Sequence, residues 1–325
     1  MTARVNPESG FAPVELMGLT PEAFERVVST YRAVLNRDPD PQGLVTHLRM
    51  LDADPSGVSI IRNLLSSPEF QNNVTRLGEY NCFDFKLLVP SDDWMLVSIR
   101  EDGVYEPYVV EAFRESCANA RVLDVGANIG VFSLVAAGVT KKKITAVEAS
   151  AHSAKLIEAN AHINSFNNIE VLPVAAAEYL GMARFPRTRD SNKVMLNETI
   201  SRDNVELIDV ALAAPLDMLV NDRIDVMKID VEGREYQALL GARRILEMKP
   251  KVFLEFSPDF AEFGSGVDAK VLLDFLFQRG YEATILHRDM TRESVKRNAG
   301  RLINVWNEYM SRSIPHLDLM MVAPD

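Results

Sequence analysis

The spacing of apolar residues divides the chain into a helical part and a part in which strands alternate with helices. Near the N-terminus, apolar side chains recur at helical spacing, as at Phe24, Val27 and Tyr31. From Phe83 the period changes to two, and short apolar runs then alternate with helical stretches to the end of the chain. The predicted parts are a flexible arm at residues 1–19, a small all-helical domain at 20–76 and an α/β domain at 78–325.

The helical domain is predicted to consist of short helices joined by polar loops. The first helix begins near Thr20, and the sequence S-S-P-E-F at residues 66–70 has the arrangement of a capping box that opens a last helix. Between them, residues 37–43 form a loop with two prolines. Asp38 and Asp40 are of the type that binds calcium, but two acids in a proline-containing loop usually just shape a turn.

The α/β domain is predicted to begin with a hairpin, whose strands are residues 83–87 and 94–99. Seven further apolar runs follow, and most of them are separated by helical stretches. This alternation predicts an α/β fold with a mostly parallel sheet and helices on both faces. The predicted strands are residues 122–125, 144–148, 169–174, 224–230, 251–255, 281–287 and 317–322, and the last two predicted helices are 268–278 and 292–309.

A glycine-containing turn after the first of these strands is the strongest candidate for a ligand site. Gly126 and Gly130 flank the turn, but the middle glycine of a dinucleotide-binding fingerprint is missing. Asp124 would repel a diphosphate and would suit a cationic sulfonium or amino-acid ligand. Asn128 is a candidate cap for the next helix. Glu148 ends the second strand, where it could accept ribose hydroxyls, although an ordinary βαβ core with two surface acids is the alternative.

Composition excludes several classes of function. The chain has 325 residues and a formal net charge of −11, which argues against broad binding to nucleic-acid phosphates. Cys82 and Cys117 are its only cysteines, too few for a disulfide framework or a thiolate metal cluster. They are compatible with a reducing cytoplasm, where we expect the protein. We expect neither a signal peptide nor a membrane span, because no apolar run is long enough.

Three ordered motifs resemble those of the FkbM family of S-adenosylmethionine-dependent methyltransferases. They are V-L-D-V-G-A-N-I-G at residues 122–130, V-E-A at 147–149 and M-K-I-D-V-E-G-R-E at 227–235. The resemblance covers about residues 78–256 and implies a Rossmann-like class I methyltransferase fold of seven strands, with an antiparallel last strand between the fifth and sixth. The chain departs from the family at residues 175–177, where a polar or acidic residue is frequent, and at Ser257, near which a histidine is frequent.

The resemblance implies that S-adenosylmethionine is the cofactor. It places Ala176 against the adenine edge and Glu106 beside the cofactor, although Glu106 also fits the plainer role of an acid in the first turn of a helix. The residues that we predict to bind the cofactor are Glu106, Asp124, Gly126, Asn128, Gly130, Glu148 and Ala176.

The catalytic residues are expected where the parallel strands end. Methyl transfer is an in-line displacement, so the protein aligns donor and acceptor and accepts the proton of the acceptor. We predict Asp230 as the base, then Glu255, then His287; His316 could also reach this edge of the sheet. A magnesium-like ion held by Asp230 and Glu255 is the alternative, but we favour a site without metal. Two further acids, Glu232 and Glu235, either join the site or only cap a helix.

The helical domain indicates the kind of acceptor. It resembles a domain of unknown function that accompanies glycosyltransferases, with the signature Y-R-x-x-L-x-R-x-P-D-x-x-G at residues 31–43. The predicted function is therefore O-methylation of a hydroxyl on a bacterial sugar, glycolipid or polysaccharide. The alternatives are methylation of a polyketide or other natural product and a catalytically silent, partner-recruiting module. The helical domain could also form a homo-oligomer, and the polar segment 186–204 is either a substrate lid or a solvated loop.

Overall fold

The chain divides into two compact units, residues 1–76 and 77–325, one residue from the boundary predicted by the change of period. A computed structural model describes residues 20–35, 38–65, 67, 77–90, 99, 103–186, 195–196 and 208–324. The predicted arm, the predicted helix after Ser67 and most of the predicted lid lie outside the described residues.

The first unit contains three described helices around a small apolar core. They are α1 (Pro21–Leu35), α2 (Pro41–Ala53) and α3 (Val58–Leu65). The helix α2 starts inside the segment predicted as a loop, because the side chain of Asp40 accepts a hydrogen bond from the N–H of Gly43 at 2.8 Å and caps it. Asp40 is therefore a helix cap, and the turn-shaping interpretation of this acid is the right one.

Two residues of the signature hold α1 against the start of α2. The hydroxyl of Tyr31 lies so close to Gly43 that a Cβ on this glycine would overlap it. The same hydroxyl shares a 3.0 Å hydrogen bond with Nδ1 of the buried His47, whose Nε2 lies 2.9 Å from the side-chain oxygen of Asn63. The signature thus identifies a packing arrangement, with a polar network that joins all three helices.

The second unit alternates strands with helices, as predicted. Its strands are β1 (Leu77–Cys82), β2 (Phe85–Pro90), β3 (Val122–Val125), β4 (Ile144–Val147), β5 (Ile169–Leu172), β6 (Ala175–Ala176), β7 (Gly181–Pro186), β8 (Met195–Leu196), β9 (Ile208–Ala214), β10 (Val226–Ile229), β11 (Lys251–Phe256), β12 (Glu282–Leu286), β13 (Arg292–Lys296) and β14 (Leu317–Val322). Its helices are α4 (Pro107–Cys117), α5 (Val131–Val139), α6 (Ala151–Ile163), α7 (Leu216–Leu219), α8 (Glu235–Leu240), α9 (Arg243–Glu247), α10 (Pro258–Ser265), α11 (Ala269–Phe277) and α12 (Ala299–Met310).

The main sheet has the order β13-β12-β14-β11-β10-β3-β4-β5. Strands β5, β4, β3, β10 and β11 pair in parallel, whereas β14 is antiparallel to both β11 and β12. The predicted insertion of the last strand between the fifth and sixth is confirmed. This is a class I methyltransferase fold with one more edge strand, β13, than the seven that were predicted.

The extra strand corrects the predicted helix at 292–309. Residues Arg292 to Lys296 pair antiparallel with β12, and α12 begins only at Ala299. Asn298 starts this helix by accepting a hydrogen bond from the N–H of Arg301 at 3.0 Å. Val295 is buried between exposed neighbours, which is the alternation of a strand.

The N-terminal hairpin also lies earlier than predicted. Strand β1 pairs with β2, and the chain turns at Phe83 and Asp84. Phe83 has a left-handed φ of 52°, yet the alternation of apolar residues continues across this two-residue turn. Periodicity alone therefore could not show that the chain reverses there. Apart from Ile99, the second predicted strand lies outside the described residues.

Apolar side chains cover both faces of the main sheet. On one face Phe113 of α4 packs edge-to-face against Phe132 and Phe253, with ring centroids 5.3 and 5.2 Å apart. Burial on both faces explains why the strands are continuous apolar runs. A second sheet, β6-β9-β7-β8, was not predicted and packs through small alanines. Among the described helices, none has the length and apolar character needed to cross a membrane.

Candidate active site

A cavity of about 400 Å³ opens at the carboxyl ends of the parallel strands of the second unit. Ligand pockets of about 300–1,000 Å³ are usual, and open α/β sheets bind ligands at this edge. Its wall includes apolar residues such as Val131 and Phe132 beside many ionisable groups. The charged or titratable residues of the wall include Glu106, Glu148, Lys228, Asp230, Glu232, Arg234, Glu255 and His316.

Gly126 allows two strand ends to meet at the floor of the cavity. It has a φ of 80°, and its N–H donates to the carbonyl oxygen of Val147 at 2.9 Å. A Cβ on this residue would overlap the backbone oxygen of Asp230. Only glycine fits both constraints, because its backbone tolerates positive φ and it has no side chain. The positive φ that the sequence indicated is present, and the close approach at this turn is to the backbone of the neighbouring strand end.

The other turn residues differ in their roles. Asn128 lies in the cavity wall with a φ of 49°, but it does not cap the next helix as predicted, because the N-cap of α5 is Gly130. Gly130 has a φ of 95° and packs against Ile157. Among the described residues that line the cavity, Gly130 is not found. It positions the turn and contributes no wall surface there.

Glu148 is held in place by the backbone at the edge of the cavity. Its Oε2 accepts a hydrogen bond from the N–H of Asn128 at 2.8 Å, and its Oε1 accepts one from the N–H of Ser150 at 2.7 Å. Burial raises the pKa of this carboxyl to about 7, although both hydrogen bonds act in the opposite direction. Each oxygen retains further acceptor capacity, so the carboxylate can accept hydroxyl groups from a ligand.

Asp124 is located beneath the cavity and not in the described part of its wall. Its side chain is buried, and its Oδ2 accepts a hydrogen bond from the hydroxyl of Ser133 at 2.6 Å. On the neighbouring strand it is paired in register with Lys228, which is also buried. The structure therefore does not place Asp124 in the cavity, where the prediction expected it to contact a ligand. Its carboxyl instead compensates the charge of the buried Lys228.

Lys228 and Asp230 form an ion pair inside the cavity wall. The ammonium nitrogen lies 2.6 Å from Oδ2 of Asp230 and 4.3 Å from the centroid of the Phe132 ring. Burial alone would lower the pKa of this lysine, but Asp230 and then Glu106 raise it above the ordinary range. The sequence analysis missed Lys228 as a site residue, and the signal was a lysine inside an apolar strand.

Glu106 faces the cavity from the N-terminus of α4. It is the N-cap residue and has a left-handed φ of 43°. Burial raises the pKa of its carboxyl to about 8, and Asp318 adds to the rise while Lys228 opposes it. Its place in the wall supports the predicted role beside a ligand over that of an ordinary first-turn acid.

Glu255 and His316 also lie in the cavity wall, and both come after the glycine turn in the sequence. Burial raises the pKa of Glu255 well above its usual range, and Asp230 and Asp318 add to the effect. Nδ1 of His316 lies 3.9 Å from Oε2 of Glu255. Ser257, which stands near the family's frequent histidine, donates its hydroxyl to the carbonyl oxygen of Pro315 at 2.9 Å.

The acids after β10 divide between the cavity and the backbone. Glu232 has a left-handed φ of 54° and lies in the cavity wall. Glu235 is buried, and its Oε1 accepts hydrogen bonds from the N–H groups of Val231 at 3.1 Å and Gly233 at 3.0 Å. Glu235 therefore ties the loop that precedes α8 to the first turn of this helix.

His287 is not among the described residues of the cavity wall. Its Nδ1 lies 2.8 Å from the hydroxyl of Tyr309, and its Nε2 lies 3.3 Å from Oε2 of Glu293. The structure does not bring His287 to the cavity as the prediction requires, because its strand continues into a hairpin that turns this ring toward α12. Ala176, by contrast, lies in the wall as predicted.

The described residues include no group of three or more His, Cys, Asp or Glu side chains with the geometry of a metal site. The cavity instead gathers carboxyl groups around Lys228 and Arg234. Such a wall is suited to a ligand that carries positive charge and hydroxyl groups.

Comparison with solved structures gives distant similarities. The methyltransferase FkbM from Methylobacillus flagellatus KT is 19% identical, with 83% of this chain and 58% of that chain covered and a TM-score of 0.39. An rRNA methylase from Streptococcus thermophilus is 12% identical, covering 66% and 94%, also with a TM-score of 0.39. The tRNA (uracil-54, C5)-methyltransferase of Pyrococcus abyssi, in complex with S-adenosyl-L-homocysteine, is 13% identical and covers 75% and 43%, with a TM-score of 0.39.

The chain thus spans less than two thirds of the length of the Methylobacillus protein. No curated protein matches it significantly. Residues 124–283 match the sequence model of the family described as Methyltransferase FkbM domain, and this span includes the glycine turn, Glu148, Lys228, Asp230 and Glu255. The chain therefore contains a methyltransferase domain of the FkbM family.

Proposed function

We propose that the protein transfers a methyl group from S-adenosylmethionine to a hydroxyl of a bacterial sugar or polysaccharide. The observation that carries the proposal is one cavity that joins a backbone-held carboxyl, Glu148, to a group of partly buried carboxyls that includes Asp230 and Glu255. The first feature suits a ribose and the second suits a cationic donor and a polyhydroxylated acceptor.

The residues present fit the cofactor. Glu148 offers acceptor lone pairs to two ribose hydroxyls, and Gly126 lies in the same cavity wall. Asp230 lies where a sulfonium or an ammonium group would be stabilised, and such a cation would favour the ionised form of Glu106 in the same wall. Ala176 offers a small apolar surface to a base. When bound, S-adenosylmethionine supplies a methyl group that is activated by positively charged sulfur.

The proton of the acceptor hydroxyl requires a base in the same cavity. A carboxylate of ordinary pKa is a poor base for a sugar hydroxyl, and burial raises the pKa of Glu255. Asp230 is less suited because the ammonium group of Lys228 lies 2.6 Å from its Oδ2 and already occupies that oxygen. We therefore place Glu255 before Asp230 as the base. Glu255 would accept the proton that the acceptor hydroxyl loses on methylation.

A divalent cation between Asp230 and Glu255 is disfavoured on electrostatic grounds. The ammonium group of Lys228 already occupies the Oδ2 side of Asp230 and would repel a second cation there. Hard cations also need several oxygen ligands, which this pair alone does not supply. The chemistry that we propose is therefore general-base catalysis by the chain's own carboxyls.

The test is transfer of label from methyl-labelled S-adenosylmethionine to extracted bacterial glycans and, in parallel, to polyketide acceptors. We expect label on glycan hydroxyls, located by mass spectrometry after permethylation with a heavy isotope, and none with the Glu148→Ala variant. Label on polyketides alone would favour the natural-product alternative. Tight cofactor binding without transfer to any hydroxyl would contradict the proposed reaction.

A further inference from the structure

We propose that Arg288 fixes the tautomer of His316, which makes this ring the hydrogen-bond donor that positions Glu255. His316 acts here as a positioning residue, since the proton of the acceptor goes to Glu255. The role of Glu255 as base rests on the proposed function, whereas the tautomer of His316 does not.

The contact between Arg288 and His316 determines which ring nitrogen carries the proton. A guanidinium nitrogen of Arg288 lies 3.1 Å from Nε2 of His316. Arginine has five N–H donors and no acceptor, so Nε2 must be the acceptor in this hydrogen bond. A neutral imidazole has one protonated nitrogen and one bare nitrogen. The proton of neutral His316 is therefore on Nδ1.

Asp318 is the group that would favour the opposite tautomer. Its Oδ2 lies 3.6 Å from Nε2 of His316, but this oxygen accepts a hydrogen bond from the hydroxyl of Tyr108 at 2.7 Å, and Nε2 lies closer to the guanidinium of Arg288, at 3.1 Å. The guanidinium of Arg288 lies 5.6 Å from the centroid of the Tyr108 ring, a cation–π distance. Tyr108 thus engages Asp318 and supports Arg288 beside the histidine.

The proton on Nδ1 faces Glu255. Nδ1 lies 3.9 Å from Oε2 of Glu255, and the side chains of His316 and Glu255 are only 16% and 13% exposed. A shift of less than about 1 Å brings the pair to hydrogen-bond distance. The charged groups that act on Glu255 include the carboxyls of Asp230, Asp318, Glu106 and Glu232, which all disfavour its ionised form. A donor from His316 opposes them and orients the carboxylate.

The tautomer can be measured without any acceptor. The full chain is labelled with ¹⁵N-histidine, and long-range ¹H–¹⁵N correlations are recorded at pH 8, above the ordinary histidine pKa of about 6.5. The chain has five histidines, and loss of one pattern in His316→Gln assigns the ring. We expect the Nδ1–H pattern in the wild type and a change to the Nε2–H pattern in Arg288→Met.

Arg292→Met is the matched control, because Arg292 is exposed and pairs with Glu115 at 2.8 Å. It should leave the His316 pattern unchanged. An Nε2–H or doubly protonated ring in the wild type overturns the proposal. So does an Arg288→Met variant whose pattern equals that of the wild type.

Two isosteric substitutions test the positioning role. The amide nitrogen of asparagine can stand in for Nδ1, and that of glutamine for Nε2. The acceptor is the one identified by the methyl-labelling experiment. His316→Asn should keep a kcat at least fivefold above that of His316→Gln, and the two variants should bind the cofactor with similar affinity. Equal kcat values overturn the positioning role. A wild type that methylates no hydroxyl instead refutes the proposed reaction, and the tautomer is still decided by the spectra.

Discussion

The backbone N–H of Asn128 donates to Oε2 of Glu148 at 2.8 Å, so the glycine turn itself holds the acid that ends the next strand. Because Glu148 is aimed in this way, removal of its carboxyl should weaken S-adenosylmethionine binding. Hydrogen bonds to a charged group contribute about 1.5–3 kcal/mol, so Glu148→Ala should raise Kd by about tenfold or more. Calorimetry measures this Kd, and a Glu170→Ala variant, altered at an exposed position, serves as the control. Equal Kd values for the two variants would remove Glu148 from the cofactor site.

Substitution of Gly126 should damage the fold at the site itself. In Gly126→Ala the Cβ would overlap the backbone oxygen of Asp230, and the residue would have to keep a φ of 80°. Strain of this kind costs about 1–3 kcal/mol or more. Gly138 lies in helix α5 with open space around its would-be Cβ. Gly138→Ala should therefore leave the free energy of unfolding equal or higher by up to about 1 kcal/mol. Urea denaturation that ranks the two variants equally would contradict this.

Stability should fall as pH rises, in part because of Glu235. Burial raises the pKa of its carboxyl from an ordinary 4.5 to about 7 in the folded chain. The contribution of this carboxyl to the free energy of unfolding is therefore fully present below pH 4.5, and it is lost as pH rises to and above 7. At 1.36 kcal/mol per pKa unit the loss is up to about 3 kcal/mol. Glu235→Gln keeps an acceptor for both backbone N–H groups.

The difference in unfolding free energy between pH 5 and pH 8 should therefore be smaller in Glu235→Gln than in the wild type. Glu247→Gln, at an exposed position of α9, serves as the control and should follow the wild type. Parallel pH profiles for Glu235→Gln and the wild type would show that this carboxyl is not the source of the dependence.

The three residues predicted as bases should separate by activity. Glu255→Gln should lower kcat by about 100-fold or more, as expected for loss of a general base. Asp230→Asn should have an intermediate effect because Lys228 pairs with this carboxylate. His287→Gln should stay near wild type, since its ring contacts Tyr309 and Glu293. A loss of kcat in His287→Gln as large as in Glu255→Gln would show that the ring takes part after all.

The second unit should fold and bind cofactor alone. A chain that begins at Leu77 retains the described strands of the main sheet and the residues of the cavity wall. Its Kd for S-adenosylmethionine should stay within about threefold of the full chain, since compact domains have their own cores. An insoluble chain, or one that fails to bind the cofactor, would show that residues 1–76 contribute to the fold of the second unit.

The sequence predicted the parts of the site that local pattern determines. Glu148, Asp230 and Glu255 each follow or end an apolar strand run, and parallel strands bring their ends to one edge of the sheet. The mostly parallel sheet followed from the same pattern, and the place of the antiparallel last strand followed from the resemblance. Gly126 was found because a glycine after a strand indicates an unusual backbone.

Contacts between distant elements were not predictable in this way. Lys228 is a charged residue inside an apolar strand, and its burial is explained by the ion pair with Asp230 and by Asp124 on the next strand. His287 was preferred to His316, because nothing local shows that β13 turns the ring of His287 away from the cavity. The strand Arg292–Lys296 lies within a stretch that the sequence predicts as helix, because its single buried residue, Val295, also fits a helical period.

The fit of Tyr31 against Gly43 changes what can be learned from the signature of the helical unit. A tyrosine that fills the space left by a missing side chain, with Asp40 closing the same turn, specifies how two helices are assembled. Other chains with these residues should share that assembly even where their binding preferences have diverged. Comparisons aimed at partners should therefore weigh the solvent-facing positions of α1 to α3, which the signature leaves free to vary.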